Sequence, residues 1–398
     1  MVMSMSIFAG IDPAVQKFVV RASVLWHRLR RRGAHIDWVV GPIEVAGLVR
    51  AISHALANSE SALLRGHPFY DHSYTWVATP ARTHLEAVVR GPWKLGELLC
   101  RASGFVYVSE VGFLDRLDDG RAFEFALLRS HGKRLVCYFT GNDIRSPRLS
   151  AERESRTGDP NLASYLAETS LTFATESYEQ QKKLIAASAE AQADLIFSAD
   201  GDQVGYLRRP SEHFLYFHPD DDIVTELSKY RDVATPVIVH APSSPVVKGT
   251  QLVRAAIAQL RAEGYDFEYV ELVRQPHAEV QAHLRRAHIV LNQFYAEAPG
   301  VFGVEALAAG CVVMQRADEH GEPSLPPGSN RAWVVTRHHQ VATHLRELLD
   351  NPAAWEPQAR LGVEWVRTNA AASVSGAVLR AKLAPLVGQV PVGNSAEA

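Results

Sequence analysis

In the stretch EAPGVFGVEALAAG, Glu297 and Glu305 stand eight positions apart around Pro299, Gly300 and Gly303. A proline and two glycines break helical regularity, so the carboxylates flank a loop rather than share one helix face. Glycine lets the backbone approach a ligand closely, and a helix starting in such a loop presents unpaired N–H groups that suit phosphate. A carboxylate accepts two hydrogen bonds from vicinal hydroxyls. An acid on each side of a phosphate site therefore matches a ligand with a sugar at each end, and a nucleoside diphosphate sugar has that layout.

The elements that must hold this loop can be read on either side of it. Residues 237–240 (VIVH) form a β-branched run and read as a buried strand. Leu252, Val253, Ala256, Ile257 and Leu260 then recur at helical spacing, with Thr250 as N-cap and Gly264 past the end. A strand over 266–273, a helix over 277–287 and a strand over 288–294 lead into the loop. A short helix over 304–309 and a strand over 311–315 leave it. Strand and helix alternate on short links, which implies a parallel sheet covered by helices.

The first half alternates less cleanly. Residues 35–41 read as a strand entering GPIEVAG, followed by a helix over 43–56. Further strands are expected at 61–64, 105–109, 134–140, 194–199 and 213–217, with helices over 81–101, 121–131 and 161–190. A polar seam over 227–236 divides the chain into an N-terminal Rossmann-like domain, 1–233, and a C-terminal one, 234–386, with a frayed tail at 387–398. The fold class is α/β, with two parallel sheets facing a cleft where ligands bind. Residues 1–34 form a possible extension. Over 12–32 an apolar stripe from Val15 to Leu29 runs beside Lys17 and five arginines. Such a helix packs on the first domain or lies peripherally on an anionic membrane face. SIFAG, at 6–10, is an alternative first strand.

Composition excludes several classes. Of the 398 residues, 47% are hydrophobic and 21% charged, and the net charge of −3 argues against charge-driven nucleic-acid binding. Cys100, Cys137 and Cys311 are scattered with no CxxC pair, which points to a reducing, cytoplasmic setting without structural zinc. No apolar run reaches the length of a membrane span, and the start lacks the basic-then-apolar pattern of a signal peptide.

The glutamate stretch resembles the Glu-x7-Glu signature of retaining glycosyltransferases with the GT-B fold, family 4. HAPSSPVVKGT, about fifty residues upstream, resembles that family's Lys-Gly element ahead of a helix. The resemblance covers 234–380 well; GKRLVCYFTGNDIR, AQADLIFSADGDQVGYL and FHPD look like pieces of the acceptor domain. It implies a nucleoside diphosphate sugar as co-substrate, no cofactor and no metal. The acceptor would be a glycan, a lipid-linked group or a small molecule. By the same resemblance, Glu305 would hold the ribose hydroxyls. Glu297 would contact the donor sugar, and Gly300, Val301, Phe302 and Gly303 would meet sugar and diphosphate. Lys248, followed by Gly249, would neutralise the diphosphate as it leaves, where bond breaking concentrates negative charge.

The chain departs from the family at two places. Where relatives carry an arginine before the lysine, it has APSSPVV, so Ser243, Ser244 or backbone groups would substitute. Where relatives place a histidine, it has Tyr138, Phe139 and Thr140, leaving Asp143 and Arg145 as the nearest polar candidates. Gly41 is the candidate for backbone approach on the acceptor side. Asp-x-Asp spacings at 200–202 and 220–222 read as solvated turns. The rival from another class is a catalytically silent subunit of the same fold that binds nucleotide or a partner. An oxidoreductase ranks below both, because no GxGxxG follows any strand.

Overall fold

The computed structural model describes residues 11–30, 33–68, 70, 73–242 and 245–387. Seven parallel strands form the first sheet: β1 (Ile36–Pro42), β2 (Ser59–Leu63), β3 (Trp76–Val77), β4 (Ala102–Val108), β5 (Arg134–Tyr138), β6 (Leu195–Ser198) and β7 (Glu212–His213). Their order is β3-β2-β1-β4-β5-β6-β7. The second sheet is also parallel, with β8 (Val237–His240), β9 (Glu268–Glu271), β10 (Ile289–Leu291), β11 (Val312–Gln315) and β12 (Val334–Val335) in the order β12-β11-β10-β8-β9. Each order reverses once, between β1 and β4 and between β8 and β10. At such points the strand ends diverge and leave a crevice for ligand.

Strand side chains alternate between two cores, as the pleat requires. Phe105, Tyr107, Leu135 and Cys137 enter one core with Val20, Leu95, Phe125 and Ile185 from covering helices. Val106, Val108, Val136 and Tyr138 enter the other with Val49, Ile52, Leu379 and Leu383. The second sheet has a core of its own around Val239, Val290, Val313, Trp333 and Trp355.

The division between halves differs from the expected seam. Tyr216, Ile223 and Leu227 already belong to the second core, and the Tyr230 hydroxyl donates to the carbonyls of His288 and Gly310, each at 2.9 Å. The polar stretch 227–236 looks like a linker only because its few apolar and aromatic residues carry the packing. The chain crosses back at 370–372, where Ala371 bridges His218, and the helix Ala372–Val387 packs on the first sheet, not the second. The two crossings lie side by side, the His218 N–H donating to the Ala370 carbonyl and the Ala372 N–H to the His218 carbonyl.

The single helix expected over 161–190 is instead Leu162–Thr169 and Glu176–Gln192, with Pro147–Thr157 preceding them. Asn161 and Thr175 cap the second and third, each side chain accepting from backbone N–H groups two or three residues on. SIFAG, residues 31–32, Ser243, Ser244 and the tail from 388 lie outside the described residues.

Candidate functional site

A cleft of about 510 Å³ lies between the halves, at the switch point of the second sheet. Lys248 reaches it from the segment after β8, and Gln293 reaches it from the end of β10. The Lys248 Nζ donates to Asn292 Oδ1 at 3.1 Å and to Gln293 Oε1 at 2.7 Å. Burial brings its pKa down to about 8, against the pull of Asp202 and Glu305. The two amide oxygens fix the half-buried ammonium in place, so an incoming anion meets a charge that is already positioned.

From Gly300 onward the stretch between the glutamates is helix, where a loop up to residue 303 was expected. The helix Gly300–Ala308 starts at Gly300, whose φ is +65°, and its first turn, Gly300, Val301 and Phe302, lines the cleft. The first N–H groups of a helix have no partner within it, so this end supplies donors and the positive end of the dipole beside Lys248. Gly303 is required for a different reason. A Cβ there would sit 2.6 Å from Asn292 Nδ2 and 2.7 Å from Gln315 Oε1, both buried side chains. Gly303→Ala is expected to cost roughly 1–2 kcal/mol by overpacking and to displace Asn292, one of the two amides that hold Lys248. Chemical denaturation together with nucleotide affinity checks both, and a variant as stable as the parent would show that the amide cluster gives way freely.

Glu305 lies one turn further along, buried, and its Oε1 is 2.7 Å from His277 Nε2. That hydrogen bond raises the His277 pKa above 6.5, against the opposing effect of burial. The His277 ring lies 4.8 Å from the ring of Tyr70, in a loop of the first half that also sends His67 into the cleft. This loop, HPFYDHSYTW, thus reaches the second half; Phe69, Asp71 and His72 lie outside the described residues.

Glu297 does not join Lys248 and Glu305. Its Oε2 accepts from Arg153 Nη2 at 2.6 Å and its Oε1 from Arg316 Nη2 at 3.2 Å, beside a separate cavity of about 190 Å³. Burial raises its pKa, while Arg153 and Arg316 lower it. The Glu297 N–H donates to Asp202 Oδ1 at 3.0 Å, and Asp202 also pairs with Arg145. The buried Glu322 accepts from the N–H groups of Asp200, Gly201 and Asp202 at 2.7 to 2.9 Å. The Asp200–Asp202 turn is therefore not a solvated surface: it ties the two halves together next to the cleft. Asp220 ties the crossing in the same way, accepting from the Ser373 N–H at 2.9 Å.

On the acceptor side the structure also corrects the sequence reading. Asp143 is buried inside its own turn, accepting from Thr140 N at 2.6 Å and Thr140 Oγ1 at 3.0 Å, and its neighbour Asn142 faces the cleft instead. Burial pushes the Asp143 pKa up to about 6. Arg145 does line the cleft, but its partners are Asn142 and Asp202, not Asp143. Gly41 lies within β1, where a side chain would strike the Ala62 carbonyl, so its smallness serves strand packing. Thr250 is not the N-cap of the helix it opens. Gly249, with φ +70°, holds that position, and Thr250 Oγ1 lies 2.9 Å from His240 Nε2.

Asn292, Gln293 and His277 escaped the sequence reading. The signal was present in HIVLNQF, where two amides directly follow the apolar run IVL. Buried amides need partners, so their place at a strand end marks a polar site.

No family model matches the chain, and no curated protein matches it by sequence. Solved structures do match. WaaG, a glycosyltransferase involved in lipopolysaccharide biosynthesis, aligns with TM-score 0.54 and 13% identity over 87% of this chain and 99% of its own. Sucrose-phosphate synthase from Thermosynechococcus elongatus aligns with TM-score 0.57 and 12% identity, over 89% and 99%. An alpha-glucosyltransferase in complex with UDP-glucose and DNA containing an abasic site gives 0.54 and 10%, over 88% and 100%. The fold is that of the GT-B glycosyltransferases. Within the GT-B frame, Lys248, the Gly300 helix end and Glu305 lie on the second domain, and Asn142, Arg145, His67 and Tyr70 face them from the first.

Proposed function

We propose that this protein is a retaining glycosyltransferase that moves a sugar from a nucleoside diphosphate donor to an acceptor hydroxyl in glycan or glycoconjugate biosynthesis. The observation that carries the reading is the meeting of Lys248, the N-terminus of the helix Gly300–Ala308 and Glu305 in one cleft. Glu305 takes the ribose hydroxyls, and the helix end and Lys248 receive the diphosphate. As the glycosidic C–O bond breaks, negative charge grows on the leaving phosphate, where a preorganised cation and dipole lower the barrier. That charge is met by protein groups, so a metal ion is not required in this scheme. Among the described residues two carboxylates line the cleft, Glu305 bonded to His277 and Asp202 paired with Arg145, so neither stands free as a nucleophile. Attack on the face of departure, with the leaving phosphate taking the acceptor proton, is the mechanism this arrangement supports. Arg145 and Arg274 are the other strong cations lining the cleft, and Asn142 is the first-domain group nearest in sequence to the expected Asp143.

The deciding experiment has two readouts. A panel of nucleotide sugars is screened for thermal stabilisation, because a ligand that binds only folded protein raises its stability by mass action. The donor so found is then followed for slow hydrolysis. Stabilisation with release of free sugar of unchanged anomeric configuration supports the proposal. Inverted product would remove the retaining assignment, and binding without any sugar release would leave a nucleotide-binding subunit.

A further inference from the structure

The helix Asp12–Arg30 meets the rest of the molecule along one side. Val20 and Val24 pack against Leu95, Leu98 and Leu99, and Gln16 and Ser23 donate to the carbonyls of Val88 and Trp93. On the opposite side Phe18, Leu25 and Leu29 are 72%, 63% and 85% exposed. Their spacing, seven and then four residues, puts them in one stripe. By the same rotation, Arg21 and Arg28 flank the stripe on one edge and Trp26 on the other. Trp26 lies 6.4 Å from the exposed Trp93 of the neighbouring helix, and the Arg30 guanidinium sits 3.8 Å from the Trp26 ring centroid.

Single exposed apolar residues are ordinary, but a contiguous set rimmed by one sign of charge marks a contact surface. In a chain of net charge −3, the first 32 residues carry six cations and one acid. That acid, Asp12, is engaged by His84 at 3.0 Å. Charge selects among occupants. A second copy of this face would set arginine against arginine. A nucleic acid would meet the arginines but leave Phe18 and Leu29 in water. A surface with phosphates outside and hydrocarbon beneath satisfies both, and tryptophan prefers that boundary.

We propose that this face docks on an anionic lipid bilayer, with Phe18, Leu25, Leu29 and the two tryptophans entering the interface and Arg21, Arg28 and Arg30 meeting headgroup phosphates. The docking is independent of what the cleft does.

Co-sedimentation of the full chain with vesicles tests it. Binding is expected to mixed phosphatidylglycerol–phosphatidylcholine vesicles and not to phosphatidylcholine alone. It weakens between about 0.1 M and 0.5 M salt, as screening shortens the reach of the arginines. Substituting Arg21, Arg28 and Arg30 together by Ser lowers partition on the order of a hundredfold. The Phe18→Ser, Leu25→Ser, Leu29→Ser triple variant abolishes it. The apolar variant is expected to melt like the parent because its side chains face solvent. The arginine variant should melt close to it, because the contacts it loses with the Phe123 and Trp26 rings lie at the surface, and nucleotide affinity provides a second check of folding. The proposal is overturned if the parent ignores anionic vesicles, or if folded variants bind them as well as the parent does. It is also overturned if the parent forms a dimer that the triple variant dissolves, which would assign the face to a second copy.

Discussion

Lys248→Ala is expected to lower turnover by about a hundred- to a thousandfold, the usual loss when one preorganised donor to developing charge is removed. The donor substrate carries its diphosphate charge before reaction, so Lys248 contributes to binding as well. Its larger effect belongs to the transition state, where charge on the leaving oxygen grows. The prediction is therefore a split: turnover falls much further than donor affinity. Asn292 and Gln293 hold the ammonium within 3.1 Å and 2.7 Å, so its position is set before the donor arrives. Lys248→Arg recovers only part of the loss, because a planar fork cannot occupy the place of a point charge. The arginine variant also isolates a pH effect. With the Lys248 pKa lowered to about 8, the free enzyme loses this charge as pH rises through that value. Parental kcat/KM should then fall above about pH 8, and the arginine variant should lose that limb. Parent-like turnover in Lys248→Ala would end the proposed mechanism. Equal losses of turnover and affinity would make Lys248 a binding residue only.

The sequence shows the second half of the molecule well because its strands are buried on both faces. β10 and β11 are short, almost wholly apolar runs between helices of clear period, and such runs have few other ways to fold. The spacing around Gly300 suggested a phosphate site beside Glu305, the family resemblance added Lys248 from about fifty residues upstream, and all three line one cleft. Contacts between distant segments were not legible. Arg153 meets Glu297 across 144 positions, and neither residue carries a mark of the other. The Glu-x7-Glu spacing suggested two acids doing similar work, but one faces the cleft and the other faces a pair of arginines. Asp143 misled for a related reason. An acid in a turn looks available in a sequence, whereas here it accepts the N–H and hydroxyl of Thr140 and closes its own turn. The helix Ala372–Val387 follows the second domain along the chain and packs on the first. Its apolar side chains say that it must be covered, not by which sheet.

Glu305→Gln should weaken donor binding by about 1.5–3 kcal/mol, the range for hydrogen bonds to a charged group, and remove most turnover with it. A carboxylate can accept both ribose hydroxyls as charge-assisted bonds, whereas an amide keeps one acceptor and adds a donor. The variant should fold, since an amide fills the same space. Its second signature lies at His277. In the parent, the hydrogen bond to Glu305 raises the imidazole pKa above 6.5. A folded-state pKa above the unfolded value means the pair stabilises the protein fully below about pH 6.5 and ceases to do so as pH rises through the raised value. Glu305→Gln removes the cause, so the His277 resonance should titrate at lower pH in the variant and the matching slope in stability should flatten. Nucleotide should act on the parent in the same sense if it competes with His277 for the Glu305 oxygens. Calorimetry with the nucleotide and an NMR titration of His277 separate the two roles. A folded Glu305→Gln with unchanged nucleotide affinity but a shifted His277 would make Glu305 a structural partner of His277 and remove it from the donor site.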